Sequence, residues 1–317
     1  MKTVALAGGV GGARLADGLA QTLPGDDLTV IVNTGDDFEH LGLSISPDLD
    51  TVCYTLAGLS NETTGWGRKE ESWQTLESIR ELGGAAWFRL GDRDLGTHLV
   101  RTEKLRKGET LSEVTREFCR RWAINCTILP MSNEPVRTIV HTENEGDLPF
   151  QAYFVARQCE PRVTGFTFQG CDEARPAPGV MEALEAADLI VVCPSNPWVS
   201  IDPILSIQGI RKLLAGKPVV AVSPIIGGKT VKGPAAKMFN ELNIQPSNQA
   251  VAGHYRDFLK GLVIHTSDFE EASLVEQWSI IINVTDTLMR DRQDRRRLAE
   301  QVLAFGRQLM DRRDRIA

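Results

Sequence analysis

The most constraining feature of this 317-residue chain is its opening, where a short apolar run leads directly into a cluster of glycines. Residues 1–7 are typical of a buried strand, and four glycines then fall within five positions, at Gly8, Gly9, Gly11 and Gly12. An amphipathic segment from Ala13 to Leu23 follows at once. Glycine allows positive φ and close approach of a ligand to the backbone N–H groups, and a helix start favours an anion. The opening therefore predicts a strand, a phosphate-binding loop and a helix.

The opening completes neither of the two familiar phosphate motifs. Counted from Gly9, the dinucleotide fingerprint would need a last glycine where Arg14 stands, which disfavours an NAD-dependent dehydrogenase. The Gly-Lys-Ser/Thr triplet of ATP- and GTP-binding loops does not follow the opening glycines either. A tight turn without a ligand is the alternative, although four glycines are more than a turn requires.

Composition limits the class of protein. A hydrophobic content of 42% and a charged content of 24% are typical of a soluble globular chain. The net charge of −7 argues against nucleic-acid binding, and no apolar run is long enough to suggest a membrane span. Six scattered cysteines without a Cys-x-x-Cys pair predict reduced thiols, no zinc site and a cytoplasmic protein.

The pattern along the chain predicts an α/β fold: a Rossmann-like, mostly parallel sheet with helices on both faces. Strands are expected at 28–33, 124–129, 188–193, 218–222 and 262–265, and helices at 49–59, 179–187, 204–215 and 235–242. Residues 60–122 appear only helical (72–82, 92–106 and 110–122), which predicts a helical insertion into a core formed by 1–59 and 123–317. Alternating segments at 136–142, 150–157 and 162–169 predict a small antiparallel patch.

The C-terminal segment from Arg290 to Ala317 holds nine arginines against five acids. One interpretation is a solvated helix with Asp291–Arg295 and Asp311–Arg315 ion pairs. The other is an anion-binding patch.

Four loops follow predicted strands at the edge where open α/β sheets bind ligands. The second of them contains Asn33 and Thr34 and then the acids Asp36, Asp37, Asp48 and Asp50. Clustered carboxylates beside a phosphate loop favour Mg²⁺, which takes one or two carboxylates together with phosphate oxygens. Alternatively, Asp48 caps the helix that follows, and Asp50 lies in its first turn, where the helix dipole stabilises an acid.

The third loop offers Ser195 and Asn196 as hydrogen-bonding groups for a base or ribose, and the fourth offers Gly227 as a second phosphate contact. In the helical insertion, Arg89 could reach a phosphate or a ring. Asp94 and His98 are four residues apart and share a helix face, which suits either a metal pair or a side-chain hydrogen bond.

Seven ordered segments together resemble the 2-phospho-L-lactate transferase family (CofD in archaea, FbiA in actinobacteria). They are 8–15, 32–37, 45–52, 90–94, 128–132, 194–197 and 219–227. The resemblance implies transfer of a phospho-acid from its guanosine diphosphate diester to the ribityl hydroxyl of the deazaflavin Fo, with release of GMP, in coenzyme F-420 biosynthesis. It also implies a requirement for Mg²⁺, a homodimer, and Fo contacts at Asp50 and Arg89.

The resemblance and the residue patterns together give a set of predicted roles. Asp50 is expected to orient, and to deprotonate, the attacking hydroxyl. Asp36, Asp37 and Asp48 are the candidate Mg²⁺ ligands. The expected nucleotide and phosphate contacts are Gly8, Gly9, Gly11, Gly12, Asn33, Thr34, Ser195, Asn196 and Gly227. The aromatic side chains expected either to wall a deazaflavin slot or to form ordinary core are Trp66, Trp73, Trp87 and Phe88.

A different class of function stays open on the sequence. A non-catalytic regulator of the related YvcK-like family, which binds a nucleotide sugar, would share the glycine opening and the sheet. The acidic segment and the helical insertion favour the enzyme. The acid transferred, whether phospholactate, phosphoenolpyruvate or phosphoglycerate, is left open.

Overall fold

A computed structural model of the chain describes residues 1–231 and 233–314. Its strands are β1 (Thr3–Ala7), β2 (Leu28–Val32), β3 (Phe38–His40), β4 (Leu43–Ile45), β5 (Thr127–Pro130), β6 (Arg137–Thr142), β7 (Gly146–Pro149), β8 (Val163–Gln169), β9 (Leu189–Val192), β10 (Val219–Val222), β11 (Ile225–Ile226), β12 (Lys229–Thr230), β13 (Gly261–His265) and β14 (Ile281–Thr285). Its α-helices are α1 (Gly9–Ala20), α2 (Pro47–Leu56), α3 (Gln74–Glu81), α4 (Asp92–Arg106), α5 (Leu111–Arg121), α6 (Val180–Ala186), α7 (Asp202–Ser206), α8 (Ile210–Leu214), α9 (Ala235–Glu241), α10 (Asn248–His254), α11 (Ala272–Glu276) and α12 (Arg292–Asp314).

Seven of these strands form a parallel sheet in the order β14-β13-β10-β9-β1-β2-β5. Alternate side chains of β1 enter different cores: Val4 and Leu6 pack on one face, and Ala5 and Ala7 on the other. Helices α1 and α12 pack against the second face, while α6 to α10 cover the first. The predicted fold class is confirmed.

The antiparallel patch is confirmed in a changed form. Strands β6 and β8 match the prediction, but the third strand, β7, ends at Pro149. The segment predicted as a strand at 150–157 instead contains a π-helix over Ala152–Ala156. Its apolar residues Phe150, Tyr153 and Phe154 are spaced three and four apart, which suits a helical turn as well as a strand.

Two predicted helices differ in their bounds. The helix predicted at 204–215 is broken into α7 and α8, and Gly209 between them has a φ of +88°. Helix α2 begins at Pro47, two residues before the prediction, because proline suits the first helical position. Asp48 therefore lies in the first turn and does not cap the helix, which corrects the capping interpretation. The β3–β4 hairpin, β14, α10 and α11 were not predicted.

The C-terminal segment is a helix, α12, but its arginines are not simply solvated. Arg295 is buried and pairs with Asp17 of α1 and with Glu62, so the predicted Asp291–Arg295 pair is wrong. Arg315 of the other predicted pair lies outside the described residues. Helices α3, α4 and α5 lie within the predicted insertion, whose domain boundaries stay a prediction. In the described ranges, no helix combines the length and the apolar character needed to cross a membrane.

Candidate active site

A cleft of about 860 Å³ runs along the carboxyl edge of the parallel sheet. Strand β1 lies between β9 and β2, so the chain leaves the sheet in opposite directions on its two sides. Such a switch point is where open α/β sheets place their ligands. Of the predicted site residues, those that border the cleft are Gly8, Gly9, Gly11, Asp36, Asp48, Asp50, Arg89, Ser195 and Asn196.

The glycine loop is tightly packed at its first position. A Cβ added to Gly8 would lie 2.7 Å from both Asp48 Oδ2 and Ser200 Cβ. Gly9 has a φ of +62°, which glycine adopts without strain. The Gly9 backbone N–H helps to hold down the pKa of Asp48, so the loop keeps an acid at the start of α1.

Asp36 and Asp48 form a buried acidic pair beside this loop. Asn33 Nδ2 donates to Asp48 Oδ2 at 2.9 Å and to the Val199 carbonyl at 3.1 Å, which fixes one carboxylate. Asp36 Oδ1 is buried and has no hydrogen-bond partner. Burial, together with the charge of Asp48, raises the pKa of Asp36 well above its usual range. Burial likewise raises the pKa of Asp48 to about 6, against the hydrogen bond from Asn33.

Asp37 lies behind the cleft wall rather than on it. Ser46 Oγ donates to Asp37 Oδ2 at 2.7 Å, while Oδ1 is buried without a partner. Burial raises the pKa of Asp37 to about 7, and the Ser46 hydrogen bond and the charge of Arg137 oppose the rise. Asp37 therefore borders the hairpin β3–β4, and its predicted role as a metal ligand has less support from the geometry than those of Asp36 and Asp48.

Asp50 is held by an arginine that the sequence analysis missed. Arg101 of α4 binds both carboxylate oxygens of Asp50, and both side chains are buried. Burial works against the charge of Arg101, but the Asp50 carboxylate outweighs it and raises the pKa of Arg101. His98 lies beside the pair, with Nδ1 3.7 Å from Asp50 Oδ2. Asp94, His98 and Arg101 follow one another at offsets of four and three residues, so they share one helix face. This spacing is the signal that could have found Arg101.

Asp94 and His98 belong to the same buried network. The Tyr54 hydroxyl donates to Asp94 Oδ1 at 2.7 Å, and His98 Nε2 lies 3.4 Å from that oxygen. Ligand atoms of Asp50, Asp94 and His98 lie within 4.8 Å of one another, as a metal site requires. The guanidinium of Arg101 already neutralises Asp50, however, so this cluster is less suited to a cation than Asp36 and Asp48 are.

Aromatic side chains border the same cleft as Asp50. Trp66, Trp87 and Phe88 border the cleft, and Phe88 packs edge-on against Phe38 at 4.9 Å between ring centroids. Trp73 does not border the cleft; its ring lies 4.6 Å from the Arg89 guanidinium carbon. Three of the four predicted aromatic residues thus line a slot, and the fourth supports Arg89.

The loops after β9 and β10 use most of their polar groups locally. Ser195 Oγ donates to the Gly8 carbonyl at 2.8 Å and accepts from the Gly8 N–H at 3.3 Å. Asn196 Oδ1 accepts from the Trp198 N–H at 3.1 Å. Gly227 does not border the cleft, and its N–H donates to Asp268 at 2.8 Å.

Three further predicted contacts lie beneath the cleft surface. Gly12 packs against Ser195, where a Cβ would lie 2.7 Å from its Oγ. Asn33 fixes the carboxylate of Asp48 by a hydrogen bond. Thr34 is buried, and its hydroxyl has no hydrogen-bond partner. The ligand-binding roles of these residues, like that of Gly227, stay predictions.

Two further groups of cleft residues were also missed by the sequence analysis. Phe150 and Phe154 stack with their rings 5.4 Å apart and border the cleft at the π-helix. Thr287 and Arg290, just before α12, also border the cleft. The sequence analysis predicted a strand at 150–157 and a C-terminal segment that begins only at Arg290, so it connected neither group with the site.

Comparison with known proteins gives consistent matches over the whole chain. The family model described as 2-phospho-L-lactate transferase CofD matches residues 3–304. A phosphoenolpyruvate transferase from Streptomyces griseus is 43% identical over 316 residues, covering 98% of this chain and 99% of the relative. A 2-phospho-L-lactate transferase from Methanosarcina mazei is 40% identical over 300 residues, covering 95% and 99%.

The fold is also similar to solved structures. A UPF0052-family protein from Bacillus halodurans matches with a TM-score of 0.61 at 18% identity, covering 95% of this chain and 99% of that one. At this identity the likeness shows the fold alone.

Proposed function

Because this chain belongs to the CofD family of 2-phospho-L-lactate transferases and is an enzyme of that kind, we propose the reaction that it catalyses. It moves 2-phospho-L-lactate or phosphoenolpyruvate from a guanosine diphosphate diester to the ribityl hydroxyl of the deazaflavin Fo, in coenzyme F-420 biosynthesis. The observation that carries the proposal is the meeting of the glycine loop, the buried acids and the aromatic slot in one cleft of about 860 Å³. A volume of that order suits two substrates of moderate size.

Asp36 and Asp48 fit a magnesium ion. Both are buried, they repel one another, and Asp36 Oδ1 has no partner within the protein. Asp36 and Asp48 would hold a divalent cation there, which would satisfy that oxygen and remove the repulsion. When bound, Mg²⁺ would neutralise charge on the diphosphate of the donor. Asp37 lies behind the cleft wall and would support this site indirectly, through the hydrogen bond that it accepts from Ser46.

The aromatic slot suits the flat deazaflavin ring. Trp66, Trp87 and Phe88 offer ring faces and edges for stacking, and Arg89 brings a positive charge to the same wall. Fo bound there would place its ribityl chain toward Asp50, which borders the same cleft.

Asp50 orients the attacking hydroxyl. Arg101 fixes the carboxylate of Asp50, so this carboxylate accepts a hydrogen bond from the attacking hydroxyl in a defined direction. The hydroxyl oxygen forms a bond to the phosphorus that carries the acid, the bond from that phosphorus to the bridging oxygen breaks, and GMP leaves. The hydroxyl proton passes to Asp50. Phosphoryl-type transfer depends mainly on such positioning and on charge stabilisation.

Turnover with defined substrates tests the proposal. Purified protein is mixed with Fo, Mg²⁺ and the guanosine diphosphate diester of each candidate acid, and products are identified by mass. We expect Fo extended by one phospho-acid, together with GMP. Asp50→Asn, assayed below its melting temperature, should lower kcat by about a hundredfold or more. The exposed control Asp26→Asn should behave as wild type.

The alternative function, a YvcK-like regulator, is tested with the same purified protein and substrates. Retention of fluorescent Fo by the protein through gel filtration supports the transferase, whereas no Fo binding and no product from any diester would refute it. A homodimer and a cytoplasmic location are part of the same proposal, and the homodimer can be checked by light scattering.

A further inference from the structure

Arg14 is a half-buried cation on the cleft wall that forms no direct ion pair among the described residues. It stands on α1, three residues beyond Gly11, and borders the cleft. Its Nη1 donates to the Met289 carbonyl at 3.0 Å. Its guanidinium makes no ion pair within residues 1–231 and 233–314. Burial and the charge of Arg295 lower the pKa of Arg14, and the charge of Glu62, which itself pairs with Arg295, opposes them. A half-buried cation without a direct ion pair favours the approach of an anionic ligand.

Thr287 supplies a second unsatisfied group beside it. Its side chain is only 6% exposed, its Oγ1 has no hydrogen-bond partner, and it borders the same cleft. It lies two residues before Met289, whose carbonyl accepts from Arg14. Buried hydroxyls are normally hydrogen-bonded, so this one indicates a missing partner.

The neighbouring arginines are already occupied. Arg290 borders the cleft but pairs with Asp286 and Asp294. Arg295 pairs with Asp17 and Glu62. On this wall of the cleft, Arg14 is therefore the cation whose charge is left for a ligand.

We infer that Arg14 and Thr287 form the subsite for the carboxylate of the transferred phospho-acid. The inference rests on the proposed function, in which the donor carries both a diphosphate and a carboxylate. The acidic pair Asp36 and Asp48 would repel a carboxylate, whereas a cation held there suits the diphosphate. Residues 287–290 bring no acid to the cleft. A guanidinium matches the two oxygens of a carboxylate, and the threonine hydroxyl adds a donor.

The test compares two ligands that differ by the phospho-acid. Dissociation constants for GDP and for the guanosine diphosphate diester of phosphoenolpyruvate are measured by calorimetry in Mg²⁺. Wild type should bind the diester more tightly than GDP. Arg14→Gln should weaken diester binding by about 10- to 100-fold, the effect of one charge-assisted contact, and leave GDP binding within about threefold.

Further variants separate the subsite from general damage. Arg14→Lys keeps the charge without the paired geometry and should lose less than Arg14→Gln. Thr287→Val should weaken diester binding by about 2- to 10-fold, with GDP unchanged. The matched control is Arg296→Gln, an exposed arginine of α12 that pairs with Glu300 and does not border the cleft. It should leave both affinities as in wild type.

Three results would overturn the inference. They are equal binding of GDP and the diester by wild type, an equal loss of both ligands in Arg14→Gln, and no loss of either. The equal loss would make Arg14 a diphosphate contact. The turnover assay on wild type keeps the two proposals apart: product from wild type, combined with any of these results, refutes the carboxylate subsite alone.

Discussion

The buried ion pair between Asp50 and Arg101 gives the sharpest stability prediction. Arg101→Met leaves the Asp50 carboxylate buried without a counter-charge, because Arg101 is the cation that binds both of its oxygens. Breaking a buried pair from one side costs about 3–5 kcal/mol. For a chain of 317 residues, an unfolding entropy of about 2.1 cal/mol/K per residue converts this to a melting temperature lower by about 5–8 °C.

The assay is a thermal melt of a double-mutant cycle. Asp50→Asn should destabilise by a similar amount, because it leaves Arg101 buried and unpaired. The double variant removes both charges and should be less destabilised than the sum of the two single variants by more than about 2 kcal/mol. The matched control is Lys107→Met, which breaks an exposed pair with Glu103 and should change the melting temperature by about 1 °C at most.

Two results would refute this reasoning. A melting temperature for Arg101→Met within about 2 °C of wild type would mean that the pair is not buried as described. Strictly additive single effects would mean that the two side chains do not interact in the folded protein.

Three other changes have defined outcomes. Gly8→Ala places a methyl group 2.7 Å from Asp48 Oδ2 and should lower kcat/KM for the donor about a hundredfold, whereas Gly96→Ala, in open space, should leave turnover unchanged. Mg²⁺ should raise the melting temperature of wild type but not that of the Asp36→Asn/Asp48→Asn variant. Without metal, that variant should be at least as stable as wild type, because the two buried acids that repel one another are gone. A rise in melting temperature with Mg²⁺ in both proteins would contradict the assignment. Trp87→Ala should raise KM for Fo about tenfold with the donor KM unchanged, and steady-state kinetics showing the reverse would place Fo elsewhere.

The parts of the fold that could be predicted are those set by local pattern. The apolar runs at β1, β2, β9, β10 and β13 are buried on both faces, so each appears in the sequence as a continuous apolar segment. The loops after these strands then meet at one edge because the strands are parallel, and the sequence alone could predict that meeting.

The parts that could not be predicted depend on distant partners. Asp50 and Arg101 are 51 residues apart in the chain, and only the packing of α2 near α4 brings them together. Arg14 could be seen only as a departure from a glycine motif, because its surroundings come from residues 287–290 near the other end of the chain. The π-helix at 152–156 was missed because its apolar spacing fits two kinds of structure.

A crystal structure with Fo, GDP and Mg²⁺ bound together would test the central claim most directly. The account predicts the deazaflavin ring in the slot of Trp66, Trp87 and Phe88, its ribityl chain directed toward Asp50, and the metal and diphosphate at Asp36 and Asp48. Fo and GDP bound in separate places, with no shared cleft between them, would contradict it.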